Sequence, residues 1–557
     1  MTMRVYALES TAHTGAEVIT KFFSTTPALV TKAGDTPPSQ TFIPAITQPG
    51  NYSINAFSGG KTYGKSQIGY GEVVLDNPLG LLDDMIGWGF DGRPQILRSF
   101  LGDPSGSVYP DDWETIYTGT AQCATMSLPG DFNSKVTLSF RDRMAELHVK
   151  LPLAVYRGDN VLPDGLEGTV DDLKGKTKPL LLGKVHNMTL QCVNTSKLIY
   201  AVSPPTPGLL GVNDWDAITN LDALTDIDGS VISGAVTTPL GIEYRRGGCS
   251  TTDIHVYDSG LELTKGADYA TDFEMLNTAP TAGQYRVLPA SGYIRLGSQP
   301  TGQVTCTAQD NNGHDPHTVG SIIRCVLRDY MLWDVSRFNV AELAALDVAC
   351  SVPVGILITQ DTYVDDLLDT LCAAAGAAYY FDRFGVFRVF QVVDPAPLPS
   401  TQTLPPAQSV DRVSTTGIPN KQIRLRYQKN WTVQNSGLAG GVTAARRAWL
   451  AQEYRECLSP SVTTAQKHLL SDELAFDSCF AELPQAECDR RLGLYSVRRD
   501  VLEYKFYIYD ISPSSFQIGS VVTPQMAGRY GWDGKKALII GIEPDLLLNK
   551  ITLILWG

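Results

Sequence analysis

The sequence predicts a mainly β protein with α+β parts: several small β-barrel or sandwich domains, one α/β module, and a helical insertion in a C-terminal barrel. Short runs that alternate apolar and polar residues recur along most of the chain, and 50 Gly and 33 Pro in 557 residues separate them. Over most of 318–393 the apolar period lengthens from two to about 3.6. No repeat of fixed period is present.

Residues 1–149 form an N-terminal β domain in this reading, with strands over 5–9, 17–23, 70–75, 95–100, 115–124 and 135–142. In the last of these Val136, Leu138 and Phe140 fall on one face, the pattern of a half-buried strand. A short helix is expected over 79–88, ended by Gly89 and the Asp91-Gly92 turn. A second β domain spans 150–310, with strands at 180–185, 197–202, 252–257, 284–288, 292–296 and 303–308, two of them joined as a hairpin by Pro289-Ala290-Ser291. Within it, 204–244 carries six acidic residues and no basic one, the mark of a surface insertion.

Residues 311–398 are the α/β module. Helices are expected over 319–330, 340–346 and 363–375, the last capped by Asp361 or Thr362, followed by a hairpin of 377–382 and 385–392 around Arg383-Phe384. The five prolines of 394–406 read as a linker. Residues 399–557 are the C-terminal barrel, in which strands 422–428 and 501–508 pair across a helical insertion at about 442–492. Strands near 520–523, 537–542 and 550–556 complete it.

Length allows a large core and three or four domains. Lys and Arg number 45 against 59 Asp and Glu, a net charge of −14, and no basic run offers the clustered cations that nucleic-acid binding by counterion release requires. The opening residues show no apolar signal core, so synthesis in a cytoplasm is expected. The longest uncharged apolar stretch, 348–358, is short and holds Pro353 and Gly355, so no membrane span is expected. Ten cysteines (Cys123, Cys192, Cys249, Cys306, Cys325, Cys350, Cys372, Cys457, Cys479 and Cys488) lack any C-x-x-C spacing and read as reduced core thiols.

One segment matches the phosphate-loop formula G-x-x-x-x-G-K-[ST], with Gly59, Gly64, Lys65 and Ser66 at its fixed positions. That chemistry needs a helix after the loop, whose first N–H groups cradle the phosphates. Here two glycines and a β-branched run follow, so the match is read as a Gly-rich structural loop and no cofactor is assigned. His314 and His317 stand three apart, a spacing that can chelate Zn²⁺ or Ni²⁺, yet no Cys or third His is near; a solvated loop is expected and no metal is assigned. Asp226-Ile227-Asp228-Gly229 resembles the middle of a calcium loop, but Leu224 and Ala235 occupy its first and last ligand positions. No G-x-S-x-G elbow occurs, and the adjacent pairs Asp171-Asp172 and Asp365-Asp366 diverge on any helix or strand, so no catalytic residue is assigned and the chain is not expected to be an enzyme.

Four stretches carry a resemblance: 59–94 (GGKTYGKSQIGYGEVVLDNPLGLLDDMIGWGFDGRP), 162–200 (LPDGLEGTVDDLKGKTKPLLLGKVHNMTLQCVNTSKLIY), Gln428-Lys429-Asn430-Trp431-Thr432-Val433, and 529–557 (RYGWDGKKALIIGIEPDLLLNKITLILWG). The first three resemble tail proteins encoded by long-tailed bacteriophages and prophages beside their tape-measure gene. The last is similar to the closing barrel hairpin of tail-hub proteins. The resemblance implies a structural protein of the virion tail tip or baseplate: a homo-oligomeric ring, a trimer by preference, that ends the tail tube and lets genome DNA pass without specific binding. It also implies contacts with distal tail or tail-tube proteins, with central fibre and receptor-binding proteins, and with the tape-measure protein, after assembly in a host bacterial cytoplasm. No membrane insertion, catalytic residue, cofactor or iron–sulfur site is implied. A distal tail ring of sixfold symmetry is the alternative, and a virion-borne cell-wall or polysaccharide hydrolase a more distant one. On this reading part of the acidic excess lines a central channel, and 204–244 faces outward.

Overall fold

The computed structural model describes residues 4–57, 62–78, 80–127, 134–141, 143–160, 165–204, 249–310, 317–415, 417–508, 515–526, 532 and 534–557, with four short strands between 224 and 245. Alternation does along 134–141 what the pattern predicts: Val136 and Leu138 are fully buried and Phe140 nearly so. The strand Ser134–Arg141 lies between Glu114–Ser127 and Glu72–Asn77 in a seven-stranded sheet whose order continues through Pro94–Leu101, Arg4–His13 and Val18–Ser24 on one side and Ile46–Gln48 on the other. The sheet closes on itself, because Ser24 N–H donates to the Ile43 carbonyl (2.8 Å) and Ile43 N–H to the Phe22 carbonyl (2.9 Å), just before the chain enters Ile46–Gln48.

A second closed ring of strands lies at the other end of the sequence. Val521–Thr523, Ala537–Asp545, Lys550–Trp556 and Asp500–Tyr507 pair in that order. The ring is completed by 401–415. Its first part, Gln402–Thr403, pairs parallel with Val521–Thr523, and its second, Ser409–Thr415, antiparallel with Asp500–Tyr507. The proline-rich tract thus carries one short strand, Gln402–Thr403, into the ring and does not serve simply as a linker. Leu404 is buried, the Pro405 carbonyl accepts the Tyr504 hydroxyl (2.6 Å), and proline fits such a position because it has no N–H to leave unpaired.

The two rings share one apolar core that runs from Tyr6 to Trp556. Tyr52–Asn55 and Gln67–Tyr70 leave the first ring's segment and join the last sheet, Ile54 opposite Ile542 and Asn55 opposite Gly541. The Tyr6 hydroxyl donates to the Leu546 carbonyl (2.8 Å) across 540 residues of sequence.

Between the rings the chain builds two sheets of five strands. Leu180–Thr189, Cys249–Asp258 and Val304–Asp310 belong to one, and Ile199–Ala201, Gln284–Leu288 and Tyr293–Leu296 to the other. Leu181, Val185, Met188, Val256, Tyr285 and Ile294 fill the space between them. Gly355–Ile358, from the helical part of the sequence, adds to the first sheet with Gly355 opposite Gly183. A Cβ on either glycine would collide with the facing carbonyl, of Val354 or Lys184, so both must be glycine. The 204–244 insertion falls largely outside the described residues; its described parts pair as Leu224–Thr225 with Val231–Ile232 and Ala235–Thr237 with Glu243–Arg245.

Helices Val319–Cys325, Val340–Ala349 and Val364–Ala375 follow the expected 3.6 period, the first running on as a single π turn over Val326–Tyr330. The expected cap at Asp361 or Thr362 is not made: Tyr363 occupies that position without a side-chain bond, and Thr362 instead donates to the Gln360 carbonyl (3.0 Å). The helix expected over 79–88 is a single 3-10 turn, Asp83–Gly87, because Gly80, Gly87 and Gly89 deny it length.

The expected pairing of 422–428 with 501–508 does not occur. Gln422–Tyr427 is instead the centre of a separate three-stranded sheet, between Arg455–Pro460 and Glu473–Asp477. The insertion at 442–492 is thus mixed, with helices Ala444–Leu450, Val462–Lys467 and Gln485–Tyr495 around those two strands. Among nine described free thiols Cys306, Cys325, Cys350, Cys372, Cys457 and Cys488 are buried and Cys192 and Cys479 half-buried, while Cys123 is exposed on its strand, against expectation. Among the described residues no helix is long and apolar enough to cross a membrane.

Candidate functional site

The phosphate-loop look-alike sits where the first ring meets the helical module. Gly59 lies outside the described residues. Gly64–Lys65 is a short strand parallel to Ala377–Phe381, and Gln67–Tyr70 follows it as a strand where a nucleotide loop needs a helix. The Lys65 N–H donates to Asp369 Oδ1 (2.8 Å), its ammonium reaches Asp365 Oδ2 (3.1 Å), and the Ser66 N–H donates to the Tyr379 carbonyl (3.0 Å). His148, stacked on Tyr363 with centroids 4.2 Å apart, brings Nδ1 within 3.1 Å of the same Asp365 oxygen. The Tyr379 hydroxyl donates to Asp369 Oδ1 (3.0 Å); burial pushes the Asp369 carboxyl up, and burial with that carboxylate pushes the phenol far above its ordinary value. Both the amide and the ammonium that a phosphate would use are engaged by carboxylates of one helix.

His314 lies outside the described residues. His317 is buried with Nε2 at 2.5 Å from Asp310 Oδ1, and Asp310 Oδ2 accepts the Gly183 N–H (2.9 Å), which places that histidine in a buried pair at the root of a helix. Among the described residues no group of three or more His, Cys, Asp and Glu is placed to hold a metal ion. A cleft between Tyr52, Tyr380, Arg383, Arg388 and Gln517 encloses about 60 Å³, room for a few waters and far below a small-molecule site.

Two joints outside these motifs are held by buried polar groups. In the first, Glu487, Arg490 and Arg491 of helix Gln485–Tyr495 cap the end of helix Val364–Ala375. Arg491 Nη2 donates to the Ala373 and Ala374 carbonyls (2.6 Å each), Arg490 Nη2 to Ala375 (3.3 Å), and Glu487 Oε1 accepts Arg491 Nε (2.7 Å). Cations belong at a helix C-terminus, where the carbonyl dipoles converge. Gly376, at φ 60°, turns the chain there, and a Cβ on it would strike Arg490.

In the second joint, a bulge in the pairing of Leu180–Thr189 with Val304–Asp310 turns His186 and Asn187 away from the sheet. Asn187, at φ 54°, donates from Nδ2 to Asn430 Oδ1 (2.9 Å) and the Thr432 carbonyl (2.7 Å). Asn430 in turn donates to the Leu450 (2.9 Å) and Gln452 (3.1 Å) carbonyls, and the Trp431 N–H reaches the His186 carbonyl (3.2 Å). His186 Nε2 lies 2.9 Å from the Ala481 carbonyl, an acceptor only, so the neutral ring carries its proton on Nε2. Burial pushes this imidazole down to about 4, with Lys184 and Arg446 pulling the same way against the Ala481 bond and Glu482. The VHNMTL and QKNWTV stretches, more than 240 residues apart, are therefore two halves of one contact. Sequence spacing gave no signal of this; only their common presence among the family-like stretches did.

No family model and no curated protein matches the chain. Among solved structures it is similar to the prophage MuSo2 43 kDa tail protein from Shewanella oneidensis, with 11% identity and a TM-score of 0.33 over 99% of this chain and 96% of that one. A tail protein from Neisseria meningitidis gives 9% and 0.34 over 99% and 96%. Prophage tail protein gp18 from Listeria monocytogenes gives 9% and 0.25 over 46% of this chain and 74% of that one. These are loose likenesses.

Proposed function

We propose that this chain is a structural protein of a bacteriophage tail, acting at the tail tip as a ring-forming hub. The observation that carries the reading is where the four family-like stretches fall. Much of 59–94 and 529–557 supplies strands of the two fused rings, while 162–200 and 428–433 supply the polar joint. Copies pack side by side around a channel, end the tail tube, and contact tail-tube or distal tail proteins on one side and fibre or receptor-binding proteins on the other. Such obligate contacts bury on the order of 2,000 Å² or more. The net charge of −14 supports a channel wall that repels the DNA backbone within roughly 8–10 Å.

The test is the stoichiometry of the purified chain and of isolated tail tips, by sedimentation and electron microscopy. A threefold ring with an acidic lumen is expected. A sixfold ring moves the assignment to a distal tail protein, and a chain that stays monomeric and is missing from tail tips overturns it.

A further inference from the structure

Helix Ala444–Leu450 begins at Thr443, whose Oγ1 accepts the Arg446 N–H (3.2 Å), so Arg446 and Trp449 stand three apart on one face. The next strand, Arg455–Pro460, starts soon after the helix ends and returns Arg455 to the same indole, with Nη2 on the Trp449 carbonyl (2.7 Å). The Arg446 guanidinium lies 4.1 Å from the Tyr257 ring centroid and 4.5 Å from that of Trp449, and the Arg455 guanidinium is 5.0 Å from the Trp449 centroid. Two like charges thus share one tryptophan.

Their neighbours on the adjoining strand are paired: Arg424 with Glu456 (2.9 Å) and Glu473 (2.8 Å), Arg426 with Asp477 (2.5 Å). Among the described residues Arg446 and Arg455 have no carboxylate within 4 Å. Arg446 Nη2 lies 3.5 Å from Asn187 Oδ1, its Nε is buried without an acceptor, and the carboxylate that acts on Arg446 through space, Glu262, is held by His255 Nδ1 at 2.7 Å. Burial pulls both guanidinium groups below their ordinary value, and Arg446 adds to the effect on Arg455. Both side chains and Trp449 remain half-exposed. Lys429, over Trp431 at 4.4 Å, and Tyr454 extend the cationic and aromatic rim.

The missing element is an anion, and its class follows from the shape of the site. A carboxylate matches the flat guanidinium fork, and the aromatic edges beside it suit apolar side chains flanking that carboxylate. A nucleic acid strand needs a continuous basic track, and Arg446, Arg455 and Lys429 make only a short cationic rim. We propose that Arg446, Trp449 and Arg455, backed by Tyr257, form a docking site for an acidic peptide segment of another protein chain. The site is independent of the tail-tip reading.

The experiment titrates the full-length protein into a fluorescein-labelled peptide of alternating Glu and Leu, by fluorescence anisotropy at an ionic strength of about 50 mM, where screening is modest. Binding is expected, weakened about tenfold by Arg455→Gln and by a rise to about 0.5 M salt, and absent for the matching Gln/Leu peptide. The Arg455 guanidinium bonds Trp449 and Gln452, so its substitution leaves the Arg446–Tyr257 contact in place; circular dichroism checks the fold, and Arg446→Lys, which keeps the charge but not the fork, serves as the second variant. Equal binding of the Gln/Leu peptide, no effect of Arg455→Gln, or displacement by inorganic phosphate or an oligonucleotide as readily as by unlabelled acidic peptide overturns the proposal.

Discussion

The fused rings and the His186–Asn430 joint hold distant parts of the chain together by opposite means. The rings share an apolar core in which Leu538, Leu553, Leu555 and Trp556 pack with Leu8, Leu75 and Tyr117, and few polar atoms cross it. At the joint, Asn187 and Asn430 are as deeply buried, at 0% and 2% exposure, but their side chains are held by directed hydrogen bonds. Apolar burial tolerates change of pH and direction; a polar joint fixes one geometry and fails when a single group changes its proton count.

The largest expected effect breaks the apolar side. Trp556→Ala, at a residue 1% exposed and packed edge-on against Phe57, is expected to cost about 4 kcal/mol and to lower the urea midpoint of both rings together. If the first ring keeps its midpoint while the second melts, the shared core is not one cooperative unit.

Acid probes the polar side. The His186 imidazole titrates near 4 when folded against 6.5 when free, so the unfolded chain binds the extra proton between those values. Stability is full above about 6.5 and falls with pH toward 4, by roughly 3 kcal/mol in all. Urea midpoints from pH 7.5 down to 4.5 should diverge between the wild type and His186→Gln, which keeps a donor for Ala481 and does not titrate; parallel curves would falsify the assignment.

The smallest effect sharpens the contrast at a third contact. Lys65 is over a third exposed, so Lys65→Ala is expected to cost under about 1 kcal/mol. A melting temperature that rises with ATP in the wild type and not in this variant would restore the nucleotide-loop reading.

The sequence made most strands of the first ring, though not Ile46–Gln48, and the three middle helices legible, because their burial is one-sided and periodic: Leu367, Leu368, Leu371 and Cys372 recur at helical spacing and are buried as expected. The 394–406 tract was opaque because proline density suggests a spacer equally well as a closing strand without donors. Arg455–Pro460 and Glu473–Asp477 were hidden because both are edge strands, each bounded by short helices, with exposed ionic residues that blunt their alternation. Of the residues the motifs singled out, Lys65 and Ser66 proved to be sheet and helix contacts, while His186, Asn187 and Arg491, which no spacing marked, hold the joints. Their partners lie one to two hundred or more residues away, beyond the reach of any local pattern.

The closing strand at 401–415 has a consequence for how copies of this protein can meet. Where 401–415 pairs with Val521–Thr523 on one side and Asp500–Tyr507 on the other, the ring offers no free strand edge for a neighbour to extend. Whatever touches the rings must do so through side chains, and such surfaces change partner by point substitution without disturbing the backbone beneath. At that closure a second copy finds side chains to meet, and not a backbone edge on which to build a fibre.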